Sequence, residues 1–338
     1  MRREWRCLRI MTILRNLTFD DVLLVPAYNH IESRQDVSTQ VQLGPYAFEV
    51  PIISANMDTI TNWLMAREMA SLGGLGILHR FNSIDDNRIQ FLQCVGFMAG
   101  VSIGVQSADL KRFDMLYNEG ARLVCIDVAH GHSKLVGKMI KQIRDYTGIF
   151  IIAGNISTYA GADYLVSMGA HAVKVGQGAG SVCTTRIKTG FGVPQLTAIM
   201  DCAKIDVPII ADGGMRTPGD VVKALAAGAT MVMLGSMLAG ATETPGKESS
   251  GFKKYRGSAS RELQEDCYGV MPDWKTAEGI STVVPHKGPV SVIINDIVGG
   301  LRSGLTYAGA KNITELHRKA QFIEVTRATT IEGTAHIE

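Results

Sequence analysis

The residues of this chain best suited to chemistry lie in one glycine-rich run, Gly176-Gln-Gly-Ala-Gly-Ser-Val-Cys-Thr-Thr-Arg186. Cys183 sits there among glycines and hydroxyls, whose donors can stabilise the thiolate form that attacks carbon. The other cysteines, at 7, 94, 125, 202 and 267, stand in apolar or featureless surroundings and read as filler. On residue type alone Cys183 is as well read as a loop thiol as a nucleophile. Two more glycine turns, Asp212-Gly-Gly214 and Gly235-Ser236, each follow an apolar run. Their backbone N–H groups either receive phosphate oxygens or simply close tight turns. Asp212 either holds ribose hydroxyls or caps a helix. His130 and His132 flank a glycine, but a metal site needs a third ligand, and none stands nearby in sequence.

Eight short apolar runs must position these groups: 51–55, 75–79, 98–104, 122–128, 149–153, 172–176, 208–212 and 231–235. Most begin roughly 25 residues apart with helical segments between them, the spacing of repeated strand–helix units around a buried parallel sheet. One gap, from the sixth run to the seventh, is longer. The segments 119–127, 168–176 and 227–235 align with one another as a helix end, a Gly-Ala pair and a strand. Eight such units predict a (β/α)₈ barrel, with an open doubly wound sheet as the runner-up. In such a barrel the active site lies at the C-terminal ends of the strands, where all three glycine turns fall, two of them after strands seven and eight. Beyond the eighth strand, 241–289 shows little periodicity and reads as a long functional flap. Helices are expected near 290–301 and 312–320.

The bulk numbers narrow the class. A net charge of +2 gives no electrostatic case for a nucleic-acid or membrane partner. The arginines at 2, 3, 6 and 9 lack the apolar stretch of a secretory signal, so residues 1–16 are expected to be a poorly ordered extension, with the barrel over 17–338. Scattered cysteines with no C-x-x-C pair favour a reducing, cytoplasmic setting. The uncharged run 224–242 approaches a membrane span in length, but its glycines favour a helix end followed by a buried strand. Glycine is in excess, 36 residues of 338, which implies many tight turns or close backbone approaches.

At the cysteine loop the chain resembles the IMP dehydrogenase/GMP reductase family, from Leu17 to about Thr326. The resemblance is carried by Leu17–Pro26, Ala55-Asn-Met-Asp-Thr59, Gly178–Arg186, Ala211-Asp-Gly-Gly214, Gly235–Gly240 and Gly300-Leu-Arg-Ser303. It implies a barrel, usually tetrameric, in which Cys183 attacks C2 of a purine nucleoside monophosphate and a nicotinamide exchanges hydride with that carbon. Only residues 80–97 separate the second and third runs, which leaves no room for the CBS domains that dehydrogenases typically insert there. The flap has no Arg-Tyr dipeptide to activate water. Asn56, Lys188-Thr-Gly190, Ala277-Glu-Gly279 and Thr306-Tyr-Ala-Gly309 look like the reductase branch, whereas Leu17–Pro26 and Ala211–Gly240 look more like dehydrogenases.

The resemblance therefore implies a GMP reductase using NADPH, with Cys183, Thr185 and Glu278 catalytic. The nucleotide would meet Asp212, Gly213, Gly214, Gly235, Ser236, Ser258, Ala259, Lys275, Glu278 and Gly279. The cofactor would meet Arg80, Asp127, Gly178 and Trp274, with Ser33, Arg34, Ser303 and Thr306 reaching a neighbouring subunit. A potassium ion would rest on the carbonyls of Gly178, Gly180 and Cys183. The chain departs from the family's pattern at Gln177 and Ala179, where Ile and Pro are usual, at Lys275 for Arg, and at Ser258 for Met. The alternatives are an IMP dehydrogenase without CBS domains and a purine-nucleotide-binding module without turnover.

Overall fold

Strands flanked by helices on one side and barrel interior on the other have no wet face, so their apolar runs are continuous rather than alternating. The computed structural model, which describes residues 15–326 and 328–333, shows this pattern eight times. The barrel strands are β1 (Ile52–Ser54), β2 (Leu75–Leu78), β3 (Ala99–Ile103), β4 (Leu123–Asp127), β5 (Phe150–Ile156), β6 (Ala172–Val175), β7 (Ile209–Asp212) and β8 (Met231–Leu234). All neighbours are parallel. The barrel closes through β8 on β1, with Val232 opposite Ile52, and through β6 on β7, with Val175 opposite Ala211. Strands β1, β2, β3, β6 and β8 are buried at every position. All eight expected strands are present, each within a few residues of its apolar run.

The long gap between the sixth and seventh runs contains the cysteine loop and two helices, Thr185–Thr189 and Gln195–Cys202, in place of one. The uncharged run 224–242 is the end of helix Pro218–Ala226 followed by β8. Among the described residues no helix is long and apolar enough to cross a membrane. That helix starts on a capping box, Thr217 with Asp220, and Pro218 stands at its first position. Val290–Tyr307 packs along it, with Gly300 against Pro218 and Gly304 against Val222.

A hairpin, Val41–Leu43 with Tyr46–Phe48, sits at the N-terminal end of the barrel, its Tyr46 ring edge-on to Phe150 at the start of β5. Strand Val22–Leu24 pairs antiparallel with Phe322–Glu324 and ties the two ends of the fold together. The flap is more ordered than its sequence suggests. Phe252–Arg256 and Ser281–Pro285 form an antiparallel ribbon, with helix Arg261–Tyr268 between them. Arg2, Arg3, Arg6, Cys7, Arg9 and most of the expected N-terminal extension lie outside the described residues.

One buried network fixes the turn after β2. His79 Nδ1 accepts the Phe81 N–H at 3.1 Å, and the His79 carbonyl accepts from Asn87 Nδ2. Asn87 in turn accepts from Arg112, which also donates to Asn82. Burial, and then the nearby Arg112 and Arg256 charges, push the His79 pKa down to about 4, so the ring is neutral and free to accept. The unfolded chain takes up that proton near pH 6.5, before the folded one does. Stability contributed by His79 is therefore present above pH 6.5 and lost as the pH falls towards 4. Between pH 7 and pH 5 this loss is about 2 kcal/mol. Urea unfolding of His79→Asn, which keeps an acceptor but cannot titrate there, should show a shallower decline over that interval. An equal decline in both proteins would remove His79 from the account.

Candidate active site

The C-terminal rim of the barrel surrounds a cavity of about 360 Å³. Its floor is built by the ends of four adjacent strands. Lys174 of β6 is buried with its side chain 3% exposed, and its ammonium donates to Asp127 of β4 at 2.7 Å and to Asp212 of β7 at 2.8 Å. It also donates to Asn155 of β5, whose amide reaches Asp212 and the Gly176 carbonyl. Burial works against both charges of the Lys174–Asp127 pair, but the attraction between them outweighs it. Lys174 is held protonated well above its ordinary pKa, and Asp127 titrates below the usual carboxylate range.

Above this floor the cysteine loop crosses the end of β7. A side chain at Gly176 would place its Cβ 2.0 Å from the Asp212 carbonyl oxygen, so the crossing requires glycine. Gly213, at φ +88°, lies against the same loop, and a Cβ there would meet the Gly180 nitrogen at 3.1 Å. Gln195 fastens the two strand ends by donating to the carbonyls of Val175 and Asp212. Cys183 is partly exposed into the cavity, its N–H donating to the Gly180 carbonyl and its thiol 3.2 Å from Thr185 Oγ1.

The flap is joined to this loop backbone to backbone. Thr184 N–H donates to the Glu278 carbonyl at 2.8 Å, Ile280 N–H donates to Val182, and Glu278 N–H donates to Ala259. Gly279 bridges to both Cys183 and Ser260. Glu278, Ser258 and Ala259 thereby enter the cavity lining beside Cys183 and Thr185. Arg256 anchors the flap by pairing with Asp58 at 2.8 Å and Asp266 at 2.6 Å. Tyr255, buried and therefore raised in pKa, lies 3.2 Å from Ser181 Oγ.

Of the residues singled out in the sequence, Asp212, Gly213, Gly214, Gly235, Ser236, Arg80, Asp127, Gly178 and Gly180 also line this cavity. Lys275 does not, but its ammonium donates to Gln264, which does. Trp274 is 84% exposed and stands apart. Arg34 and Thr306 line a second cavity, next to Tyr307, and Ser33 caps the turn at Arg34–Asp36. Ser303 Oγ donates to the Gly299 carbonyl within its own helix. The rings of His130 and His132 are 6.4 Å apart, and the described residues contain no cluster of three His, Cys, Asp or Glu able to hold a metal. Sequence reasoning missed Lys174 and Asn155. The available signal was a lysine inside the otherwise apolar Ala172-Val-Lys-Val175, a position that demands buried counter-charges.

Barrel, glycine turns and a loop cysteine under a flap converge on one cavity. The sequence matches the family described as IMP dehydrogenase / GMP reductase domain over residues 16–336, and the chain belongs to that family. It is 33% identical to the inosine-5'-monophosphate dehydrogenase of Nitrosopumilus maritimus, over 96% of this chain and 99% of that protein. It is 40% identical to the GMP reductase of Streptococcus equi, over 89% of this chain and 92% of that one. Among solved structures, an inosine 5' monophosphate dehydrogenase from Legionella pneumophila is similar at 54% identity and TM-score 0.85, covering 93% of this chain and 99% of that chain. A GMP reductase from Trypanosoma brucei in complex with guanosine 5'-monophosphate is similar at 28% identity and TM-score 0.90, covering 97% and 99%.

Removing Lys174 would leave Asp127 and Asp212 half-buried without their cation. Lys174→Met should cost about 3–5 kcal/mol in urea unfolding, and adding Asp127→Asn should recover part of that loss. An unchanged midpoint in Lys174→Met would show the cluster to be dispensable for stability.

Proposed function

We propose that this protein is a GMP reductase, converting GMP and NADPH with two protons to IMP, NADP and ammonium. The observation that carries this reading is the backbone junction that brings Glu278 to the loop of Cys183 and Thr185. The Cys183 thiolate adds to C2 of the purine. The Glu278 carboxyl, with the Thr185 hydroxyl as relay, protonates the 2-amino group so that it departs as ammonia, leaving the purine joined to sulfur. The reduced nicotinamide, when bound, supplies a hydride to that carbon. Breaking of the C2–S bond then returns the thiolate and releases IMP. A carboxyl beside a hydroxyl relay suits a step that must protonate a leaving amine, and the flap carries no Arg-Tyr pair to activate water for the opposite chemistry.

The nucleotide phosphate is assigned to Gly213, Gly214, Gly235 and Ser236, whose turns crowd together at the rim, and the ribose to Asp212. Ser258 and Ala259 are assigned to the base together with Gly279, which bridges to Cys183 and Ser260, and Lys275 is assigned to act through Gln264. The residues at the other side of the cavity fit a dinucleotide. Arg80 lines it with a buried Nε that lacks a hydrogen-bond partner, next to Asp127 and Gly178. Trp274, Ser33, Arg34, Ser303 and Thr306 stand outside this cavity, so their assignment to the cofactor requires a neighbouring copy, in keeping with a homotetramer. A potassium ion is assigned to the carbonyls of Gly178, Gly180 and Cys183; the Gly180 oxygen accepts one bond from the Cys183 N–H and keeps a second lone pair. There it would fix the loop. The scattered cysteines suit a cytoplasmic setting.

The 54% identity to the Legionella pneumophila structure favours a second reading, IMP oxidation with NAD and water. Reduced-nicotinamide absorbance separates the two, falling with GMP and NADPH and rising with IMP and NAD. A rise with the second pair and no change with the first would overturn the reductase. Cys183→Ala should abolish turnover and the covalent nucleotide adduct seen by mass spectrometry; retention of the adduct would exclude Cys183. Glu278→Gln should lower kcat about a hundredfold while GMP affinity stays within about twofold. Wild-type turnover in that variant would remove Glu278 from the mechanism.

A further inference from the structure

We infer that Gln177 is a positioning residue that holds the cysteine loop against the dinucleotide side of the site. It follows the crossing at Gly176, and its side chain joins the rims after three different strands. Its Oε1 accepts the Ser157 hydroxyl at 2.6 Å, just beyond β5. Its Nε2 donates to the Ala129 carbonyl at 3.0 Å and stands 3.0 Å from His130 Nδ1, both just beyond β4. A primary amide has two N–H donors, and both have partners here. The orientation is fixed, because a flipped amide would set Oε1 against the Ala129 carbonyl oxygen, which can only accept. His130 must then accept at Nδ1 and carry its own proton on Nε2.

The brace falls where the loop most needs one. The next residues are Gly178, at φ +77°, Ala179 and Gly180, a sequence with many accessible conformations in the absence of an anchor. An apolar side chain at 177 can pack but cannot tie Ser157 to Ala129. The brace also sits on one side of the cavity. Ala129 and Gln177 line the wall that contains Asp127, whereas the turns assigned to the phosphate lie after β7 and β8. With both N–H groups engaged, Gln177 acts through the loop and donates nothing to a ligand.

The inference rests on the assignment of the dinucleotide to the Asp127 side, and the test separates the two. Gln177→Met keeps length and removes the hydrogen bonds; Gln177→Glu keeps the shape and the acceptor and removes both donors. Kinetics are run with whichever substrate pair the wild type turns over, so failure of the reductase reading leaves this test intact. In both variants the dinucleotide KM should rise about tenfold while the purine-nucleotide KM stays within twofold. In ligand-free protein the rate of Cys183 alkylation by iodoacetamide should change at least threefold. Ser157→Ala, which removes one bond of the brace, should shift both readouts in the same direction by less. Combined with Gln177→Met it should add little. Wild-type KM values and alkylation rate in the Met and Glu variants would overturn the proposal. So would a loss of thermal stability accompanied by an equal rise in both KM values. A shift in alkylation with both KM values unchanged would retain Gln177 as a brace on Cys183 and overturn its link to the dinucleotide side.

Discussion

The site depends on one buried charge. Lys174 cannot occupy the barrel interior alone, since an unpaired ammonium away from water is far too costly to hold. It is accommodated because Asp127 and Asp212 come from the strands on either side of its neighbourhood and Asn155 closes the set. The four residues belong to β4, β5, β6 and β7, so the requirement that Lys174 be neutralised also fixes the relative heights of four strand ends. Two carboxylates that line the cavity are thereby tied to one ammonium. One stands on the wall with Arg80, the other at the turn leading to Gly213.

A rigid floor lets the loops above it be built mainly from backbone. Gly176 has no room for a Cβ beside Asp212, and Gly213 lies against Gly180, so two loops pass each other closer than side chains would permit. The glycine excess serves this close passage as well as helix ends. The flap follows the same logic. Main-chain hydrogen bonds from Thr184 to Glu278 and from Ile280 to Val182 hold it on the cysteine loop, so neither Cys183 nor Glu278 spends its side chain on attachment. Arg256, paired with Asp58 and Asp266, carries the mechanical load at the flap's base.

The barrel was legible because burial on both faces forces eight continuous apolar runs, and because Gly-Ala pairs punctuate the steps from helix to strand. Its limits follow from the same physics. β5 runs on to Ile156, past the apolar stretch, because Gly154 still pairs with Asp127 and Lys174 and, after a bulge at Asn155, Ile156 pairs with Val175. The flap ribbon was hidden because Lys253 is buried, donating to the carbonyls of Ala241, Thr242 and Thr244 instead of facing water. A charge inside the alternation erases the strand signal. Lys174 escaped notice for a related reason: its counter-ions lie on other strands, and only the closed barrel brings them within reach. The glycine turns, Cys183 and Asp212 were visible because each lies at or follows the end of a barrel strand, whereas Lys275 and Trp274 lie in flap sequence with no periodicity to place them.

Within this architecture the barrel and the flap have separable duties. On the proposed reading the strand ends present a thiol, a phosphate cradle and an acidic wall, parts that would serve attack at a purine C2 in either direction of hydride exchange. What differs between the directions is the fate of a proton. Losing ammonia requires an acid near the amine, whereas hydrolysis requires a base near water. On the proposed reading that choice belongs to the segment laid over Cys183, and here the segment carries a carboxyl at 278, held by its own backbone, in the same cavity lining as the hydroxyl at 185. Overall identity therefore bears less on direction than a few flap residues do. For that reason the reductase reading rests on Glu278 and its junction with the cysteine loop rather than on overall similarity.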